Sequence, residues 1–362
     1  MNHDEKKSCP ETVLIMQGGG SLGAYECGVY KTLSENHIKF DVVAGTSIGA
    51  INALIIAAGK ENDVAKTLED FWLDLAETVT PPFLPDNIRS FYSSMYAGIW
   101  GNPNAFAPVS GIPNPAYFSN LFPHLYNVTP LKNTINKYVD FKKLKNSQRP
   151  RLIVTAVDIQ KSRSVTFDSE HVDMDIDHIL GSAAYPFYGI AWTEKDGRYL
   201  WDGSLMSNTP LREVINASPK CNKKVYIISL FPRTHNELPK NMSESWHRAR
   251  DIMHTDKTEH NMRMSRIISR YLHLLKEMHG IIVSCNPDEN MKKRFEKIEP
   301  EYRKLAGERG AIIEDIIRIE RKEESHFIFE DADFSLATIK QLIKQGQEDA
   351  EKILREKESR KI

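Results

Sequence analysis

Nowhere does this sequence run apolar for the roughly 20 residues that a membrane-spanning helix needs; the best candidate, residues 50–58, is far too short. An excess of one charge is lacking too. Lys and Arg number 48 against 49 Asp and Glu, a formal net charge of -1. That balance argues against a protein that coats nucleic acid. Cysteine is scarce: Cys9, Cys27, Cys221 and Cys285 form no CxxC pair and match no zinc spacing. They read as reduced thiols of a cytoplasmic protein. Residues 1–13 hold lysines with no apolar stretch behind them, so no secretory signal is expected. Export without such a signal stays open, as does peripheral contact with a membrane. His247, His254 and His260 share a predicted helix but lack a His-Glu-x-x-His pattern, and no metal is expected.

What is present suffices for a large core. The chain has 362 residues, 41% hydrophobic and 27% charged, which excludes disorder throughout and fits two domains or one large domain with an appendage. After a tail at 1–12, the pattern alternates: a strand at 13–16, a helix at 24–36, a strand at 41–44 and a buried helix at 48–58. Strand–helix alternation implies α/β architecture with a mostly parallel sheet. Further strands are expected at 151–157, 164–168 and 224–231, with helices at 129–138 and 177–184. From about 242 the character shifts to long charged helices at 242–278, 291–306 and 335–357, with 311–320 leaning to strand for its isoleucines. Residues 80–126 are dense in Pro, Gly, Asn and aromatics and show no clean period. A long irregular stretch of this kind reads as a lid insert. Its Phe83, Phe91, Tyr92, Tyr96, Trp100 and Phe106 would line an acyl pocket, touch a bilayer, or simply form a satellite core.

Three short motifs carry chemistry. Gly18-Gly19-Gly20-Ser21-Leu22-Gly23 follows the first strand and opens a helix. Glycines there let backbone N–H groups approach an anion, at a helix end whose dipole favours negative charge. A dinucleotide pyrophosphate, an oxyanion and a mere tight turn all fit that loop. Gly45-Thr46-Ser47-Ile48-Gly49 is a GxSxG between strand and helix, the context of a nucleophile elbow. A dinucleotide fold would place an acidic residue at the end of the second strand. Here Asp41 stands at that strand's start, and Gly-Thr-Ser fills its end. A serine hydroxyl needs a base. Asp202, in the turn Trp201-Asp202-Gly203-Ser204, is either that base or an ordinary turn cap. His235 would complete the Ser…Asp…His order of an α/β-hydrolase triad. Only one strand–helix unit precedes Ser47, however, where that fold has several.

The set GGGSLGAY, GTSIGA and DGS, in that order, resembles the patatin-like phospholipase family from about residue 13 to 217, including ILGSAAYPFYG before the aspartate turn. The resemblance implies a three-layer α/β fold with a mostly parallel central sheet, and a mainly helical C-terminal extension at 236–362 behind a catalytic domain at 13–235. It implies a Ser–Asp dyad without histidine or cofactor: Ser47 as nucleophile, Asp202 as proton acceptor, an oxyanion hole at Gly18, Gly19 and Gly20, and support from Gly23, Gly45, Gly49 and Gly203. It implies hydrolysis of lipid acyl esters of phospholipase A or lysophospholipase type. A thioesterase, an intracellular polyester depolymerase and a non-catalytic lipid-binding scaffold remain alternatives. Two positions depart from the family: Leu22 stands where many members carry Arg or Lys, and Ser204 follows Asp202-Gly203 where many have Gly or Ala.

Overall fold

The computed structural model describes residues 10–109, 123–218, 221–235, 238–285, 288–309, 311–322 and 329–359. Cys9 with most of the N-terminal tail, and residues 110–122 of the aromatic stretch, lie outside them. The strands are β1 (Glu11–Met16), β2 (Val42–Thr46), β3 (Ala107–Pro108), β4 (Tyr126–Asn127), β5 (Arg151–Asp158), β6 (Arg163–Asp168), β7 (Thr193–Lys195), β8 (Arg198–Asp202), β9 (Lys223–Ser229) and β10 (Ile313–Glu320). The helices are α1 (Gly23–Glu35), α2 (Ile48–Ala58), α3 (Val64–Leu75), α4 (Asp86–Trp100), α5 (Thr129–Tyr138), α6 (Ile176–Ser182), α7 (Leu211–Ala217), α8 (Met242–Ser284), α9 (Glu289–Arg309) and α10 (Leu336–Ser359).

The central sheet runs β10-β9-β1-β2-β5-β8-β7, with β6 also on β5. Pairings from β10 to β5 are parallel; those of β6, β7 and β8 are antiparallel. Parallel strands buried on both faces read as continuous apolar runs, and β1 and β2 do so, with Val13, Leu14, Ile15, Val42 and Val43 all in the core. One face packs under α1, α2 and α3; the other is a smaller cluster around Leu211, Val214, Val225 and Met262. The architecture is the expected α/β sandwich with a mostly parallel sheet and a largely helical C-terminal region.

Two findings go beyond the sequence reading. First, the segment after residue 235 is woven into the core. Its β10 extends the sheet beside β9, and its α10 lies along α1 at very close range. A Cβ on Gly28 would sit 1.9 Å from the Ile343 carbonyl oxygen, and one on Gly346 would sit 2.1 Å from that of Tyr25. Only two glycines allow this crossing. The Tyr25 hydroxyl then donates to Asp349 at 3.0 Å.

Second, the stretch read as aperiodic holds the helix α4, built inside out. Its buried face is small and polar: Ser90 donates to Asp333 at 2.6 Å, and Ser93 to Glu77 at 3.0 Å. Phe91, Tyr92 and Trp100 face outward instead, with Tyr96 half-buried. The apolar spacing is helical, but it marks a solvent-facing stripe, so a search for a core-facing period misses it.

Candidate active site

The chain turns sharply between β2 and α2. Ser47 sits at that turn with φ 56° and ψ -126°, a left-handed backbone that a non-glycine residue adopts only under constraint. The glycines around it make the turn feasible. A Cβ on Gly45 would lie 2.1 Å from the Gly49 carbonyl oxygen, and one on Gly49 would lie 2.6 Å from that of Met16. Thr46 is tied to Thr155 at 2.6 Å and to the Ser207 carbonyl at 2.8 Å, and the Ser47 N–H donates to Ser182 Oγ at 2.9 Å. Ser182 closes α6, within the ILGSAAYPFYG stretch.

Asp202 ends β8 and caps the short 3-10 turn Gly203–Leu205. Its Oδ1 accepts the Ser204 N–H at 2.8 Å. Its side chain is almost fully buried. That burial pushes its pKa up to about 6, against hydrogen bonds from the Ser47 hydroxyl and from the Ser204 amide and hydroxyl that favour the charged form. Ser204, the departure from the family's small residue, thus adds a donor to the carboxylate. The structure brings Ser47 and Asp202 together.

His235 is elsewhere. Its ring faces Asp251, with Nε2 3.4 Å from Oδ2, and it borders a separate small cavity with Leu238, Lys240 and His247. The Ser–Asp–His grouping is not assembled.

The glycine loop lies beside Ser47. The Gly18 N–H is already committed to Asn208 Oδ1 at 3.0 Å, and Asn208 Nδ2 returns a bond to the Gly18 carbonyl at 3.2 Å. This removes Gly18 from the expected donor set. The N–H groups of Gly19 and Gly20 keep no acceptor among the described residues. Gly20 has φ 56°, and a Cβ there would meet the Asp331 carbonyl oxygen at 2.1 Å.

Beneath the loop runs a buried polar chain that the motif reading missed. Trp72 Nε1 donates to Asn52 Oδ1 at 3.0 Å. Asn52 Nδ2 donates to Glu26 Oε2 at 2.8 Å and to the Gly23 carbonyl at 3.0 Å. Glu26 Oε1 takes the Gln17 N–H at 2.7 Å, and Gln17 Oε1 takes the Leu230 N–H at 2.7 Å. Burial pushes the Glu26 carboxyl well above the ordinary range, with Asn52 and Gln17 opposing. Leu22, where the family often has a cation, is simply core.

These parts open onto one cavity of about 650 Å³. Gly18, Gly19, Gly20, Ser47 and Asp202 line one part of it. Most of the remainder is apolar, including Ile51, Leu75, Phe106, Tyr126, Leu131 and Phe334. Phe91 and Met95 of α4 and Phe187 line it while also being exposed, at 52%, 46% and 77%, so they form its rim. Four lining residues had no role assigned to them from the sequence, although Tyr185 and Tyr188 stand in the ILGSAAYPFYG stretch. Tyr185 and Tyr188 come from the loop before β7. His254, stacked on Phe231 at 4.7 Å, and Asp331 come from the C-terminal region.

Comparison with known proteins adds sequence kinship. A cGAMP-activated phospholipase of Escherichia coli (strain TW11681) is 26% identical over 247 residues, 60% of this chain and 61% of the relative. The chain thus spans about three fifths of that relative's length. Lysophospholipase nte1 of Aspergillus terreus is 42% identical over 53 residues, 14% of this chain and 4% of that protein. Among solved structures, VipD from Legionella pneumophila aligns over 96% of this chain and 67% of its own, at 11% identity and a TM-score of 0.38. A sequence model described as patatin phospholipase matches residues 250–362. Another, described as patatin-like phospholipase, matches residues 14–215, more than half of the chain. That match spans the glycine loop, the serine elbow and the aspartate turn in order: the chain belongs to the patatin-like phospholipase family.

Proposed function

We propose that the protein hydrolyses acyl esters of lipids through a Ser47–Asp202 dyad. The observation that carries this reading is the strained Ser47, beside a buried aspartate and two glycine amides without an acceptor among the described residues, on the wall of an apolar cavity. Asp202, ionised above pH 6, takes the Ser47 proton as Oγ attacks the ester carbonyl. The Gly19 and Gly20 N–H groups receive the oxyanion; one such donor is worth about 3 kcal/mol in comparable enzymes. Asp202 then protonates the departing alcohol, which leaves an acyl-serine. Water attacks that ester, again giving its proton to Asp202, and the fatty acid leaves as Ser47 recovers its hydrogen.

The substrate's source is part of the same proposal. The outward stripe of α4 runs alongside the cavity rim, so an acyl chain drawn from a lipid surface would meet Phe91, Met95 and Phe187 before it met water. Membrane contact then needs no spanning segment, and no helix among the described residues is long and apolar enough to cross a membrane.

The test compares wild type with Ser47→Ala on medium-chain p-nitrophenyl esters and on phospholipid vesicles. Hydrolysis by wild type alone is expected. Equal rates in both would refute the dyad, and no hydrolysis by either would favour a non-catalytic lipid-binding scaffold. For docking, Tyr92→Ser with Trp100→Ser alters the exposed stripe without touching the cavity. Each aromatic contributes on the order of 1–2 kcal/mol to an interface. Vesicle hydrolysis should fall tenfold or more while the soluble ester is turned over within twofold of wild type. Parallel loss of both activities would remove the docking surface.

A further inference from the structure

The C-terminal region touches the glycine loop directly, through the short 3-10 turn Glu330–Ala332. The Ser21 hydroxyl donates to the Glu330 carbonyl at 3.0 Å. The Asp331 carbonyl oxygen occupies the space in which any side chain on Gly20 would lie. The backbone of this turn therefore forms the outer wall against which Gly20 rests, and its position limits where the Gly19 and Gly20 amides can point.

A buried ionic lattice holds the turn. Arg250 of α8 places Nη1 3.0 Å from Asp331 Oδ1 and Nη2 3.0 Å from Glu330 Oε1. Arg321, just past β10, places Nη2 2.9 Å from the same Glu330 oxygen, and its Nε donates to the Leu230 carbonyl at 2.8 Å. From the catalytic side, the Tyr188 hydroxyl reaches both Asp331 oxygens at 2.8 and 2.9 Å. The Arg250 guanidinium also lies over the Phe231 ring, 5.0 Å from its centroid. Arg250, Arg321, Glu330 and Asp331 are all buried. Asp331 lines the cavity itself.

An ionic lattice with good geometry is strong where water is excluded, and removing one member disturbs its neighbours. Burying this many charges for fold stability alone is a poor exchange, because apolar packing of similar volume does as well. Placement at the loop that would receive the oxyanion gives the lattice a different use. Donors there must be held to about half an ångström.

We propose that Asp331 is a positioning residue for the hydrolysis: gripped by Arg250 and Tyr188, it sets the seat of Gly20 and so aims the Gly19 and Gly20 amides, which makes the C-terminal region a working part of the active site. The proposal rests on the dyad reading. It assigns to the region after residue 235 a role beyond covering the core.

The test measures kcat, KM and Tm on a soluble p-nitrophenyl ester, and the inhibition constant of a trifluoromethyl ketone whose adduct places an oxyanion on the glycine amides. Wild-type turnover and its loss in Ser47→Ala check the dyad independently. Asp331→Ala leaves Arg250 and Arg321 balanced by Asp251 and Glu330, so no charge is stranded. It should lower kcat and ketone affinity by the same factor, about 10–100-fold, with KM within twofold. Asp331→Asn keeps an acceptor where Oδ1 takes both donors and should recover most of that loss. Should Asp331→Ala not fold, Arg250→Lys keeps the charge but not the two-pronged grip. It should then lower kcat about 3–10-fold at constant KM. Unchanged kcat, a joint fall of kcat, KM and Tm, or no recovery with Asn would overturn the proposal.

Discussion

Replacing Asp202 by asparagine should do two opposite things. Activity disappears, because an amide cannot take the serine proton. Stability at neutral pH rises, because a buried carboxylate no longer has to ionise. The carboxyl is held near 6 in the fold, against an ordinary value of 3.8. A carboxyl whose folded pKa is raised keeps its proton more tightly in the native state. Its favourable contribution is complete below pH 3.8 and is lost as pH rises through 6. At 1.36 kcal/mol for each tenfold change in proton affinity, ionising Asp202 destabilises the fold by about 3 kcal/mol at pH 8 and about 1 kcal/mol at pH 4.5. Asparagine retains the acceptor for the Ser204 N–H and removes that pH-dependent term. For a chain of this length the unfolding entropy is about 0.8 kcal/mol/K, so the gain is about 4 °C in Tm at pH 8 and about 1 °C at pH 4.5. Any constant effect of the substitution cancels in the comparison. Thermal unfolding of both proteins at the two pH values reads the difference, about 3 °C. An equal offset at both pH values would show that burial does not raise this carboxyl, and would leave the general base unexplained. In wild type the same group predicts that kcat/KM climbs with pH through about 6.

Two further predictions follow from named contacts. Ser204→Ala removes a hydroxyl that stabilises the charged Asp202. The acid limb of kcat/KM should then move to higher pH, with activity reduced at pH 6 and preserved at pH 8.5. Gly346→Ala puts a methyl where the Tyr25 carbonyl stands. It should destabilise by about 1–3 kcal/mol through forced separation of α1 and α10, read as a lower denaturation midpoint with an unchanged slope.

The candidate motifs were legible because each is a local turn with its own chemistry. The glycines at 45 and 49 are needed wherever a strand meets a helix through a raised serine. Ser47 follows β2, whose apolar run is itself plain, and Asp202 ends the short strand β8. The glycine loop was legible as a candidate anion site or a tight turn, but not in its detail. Only the fold reveals that Asn208, 190 residues away, takes the Gly18 amide. Glu26, Asn52 and Trp72 carried no signal either, since single polar residues in apolar helices look like noise until their partners are known. The same holds for Arg250 and Asp331, whose burial nothing in the local sequence announces. The isoleucines of 311–320 did favour strand over helix, and β10 is one. What they could not state is that it joins the same sheet. The α4 helix was missed for the opposite reason: its apolar residues face outward, where the usual logic of burial expects polar ones.

The central claim is that Ser47 is the nucleophile. Incubating the protein with a fluorophosphonate and measuring the intact mass, then the labelled peptide, tests it most directly. One adduct per chain, located on Ser47, absent in Ser47→Ala and formed far more slowly in Asp202→Asn, is the predicted result. An adduct on another serine, or equal labelling of the Ser47→Ala protein, would contradict it.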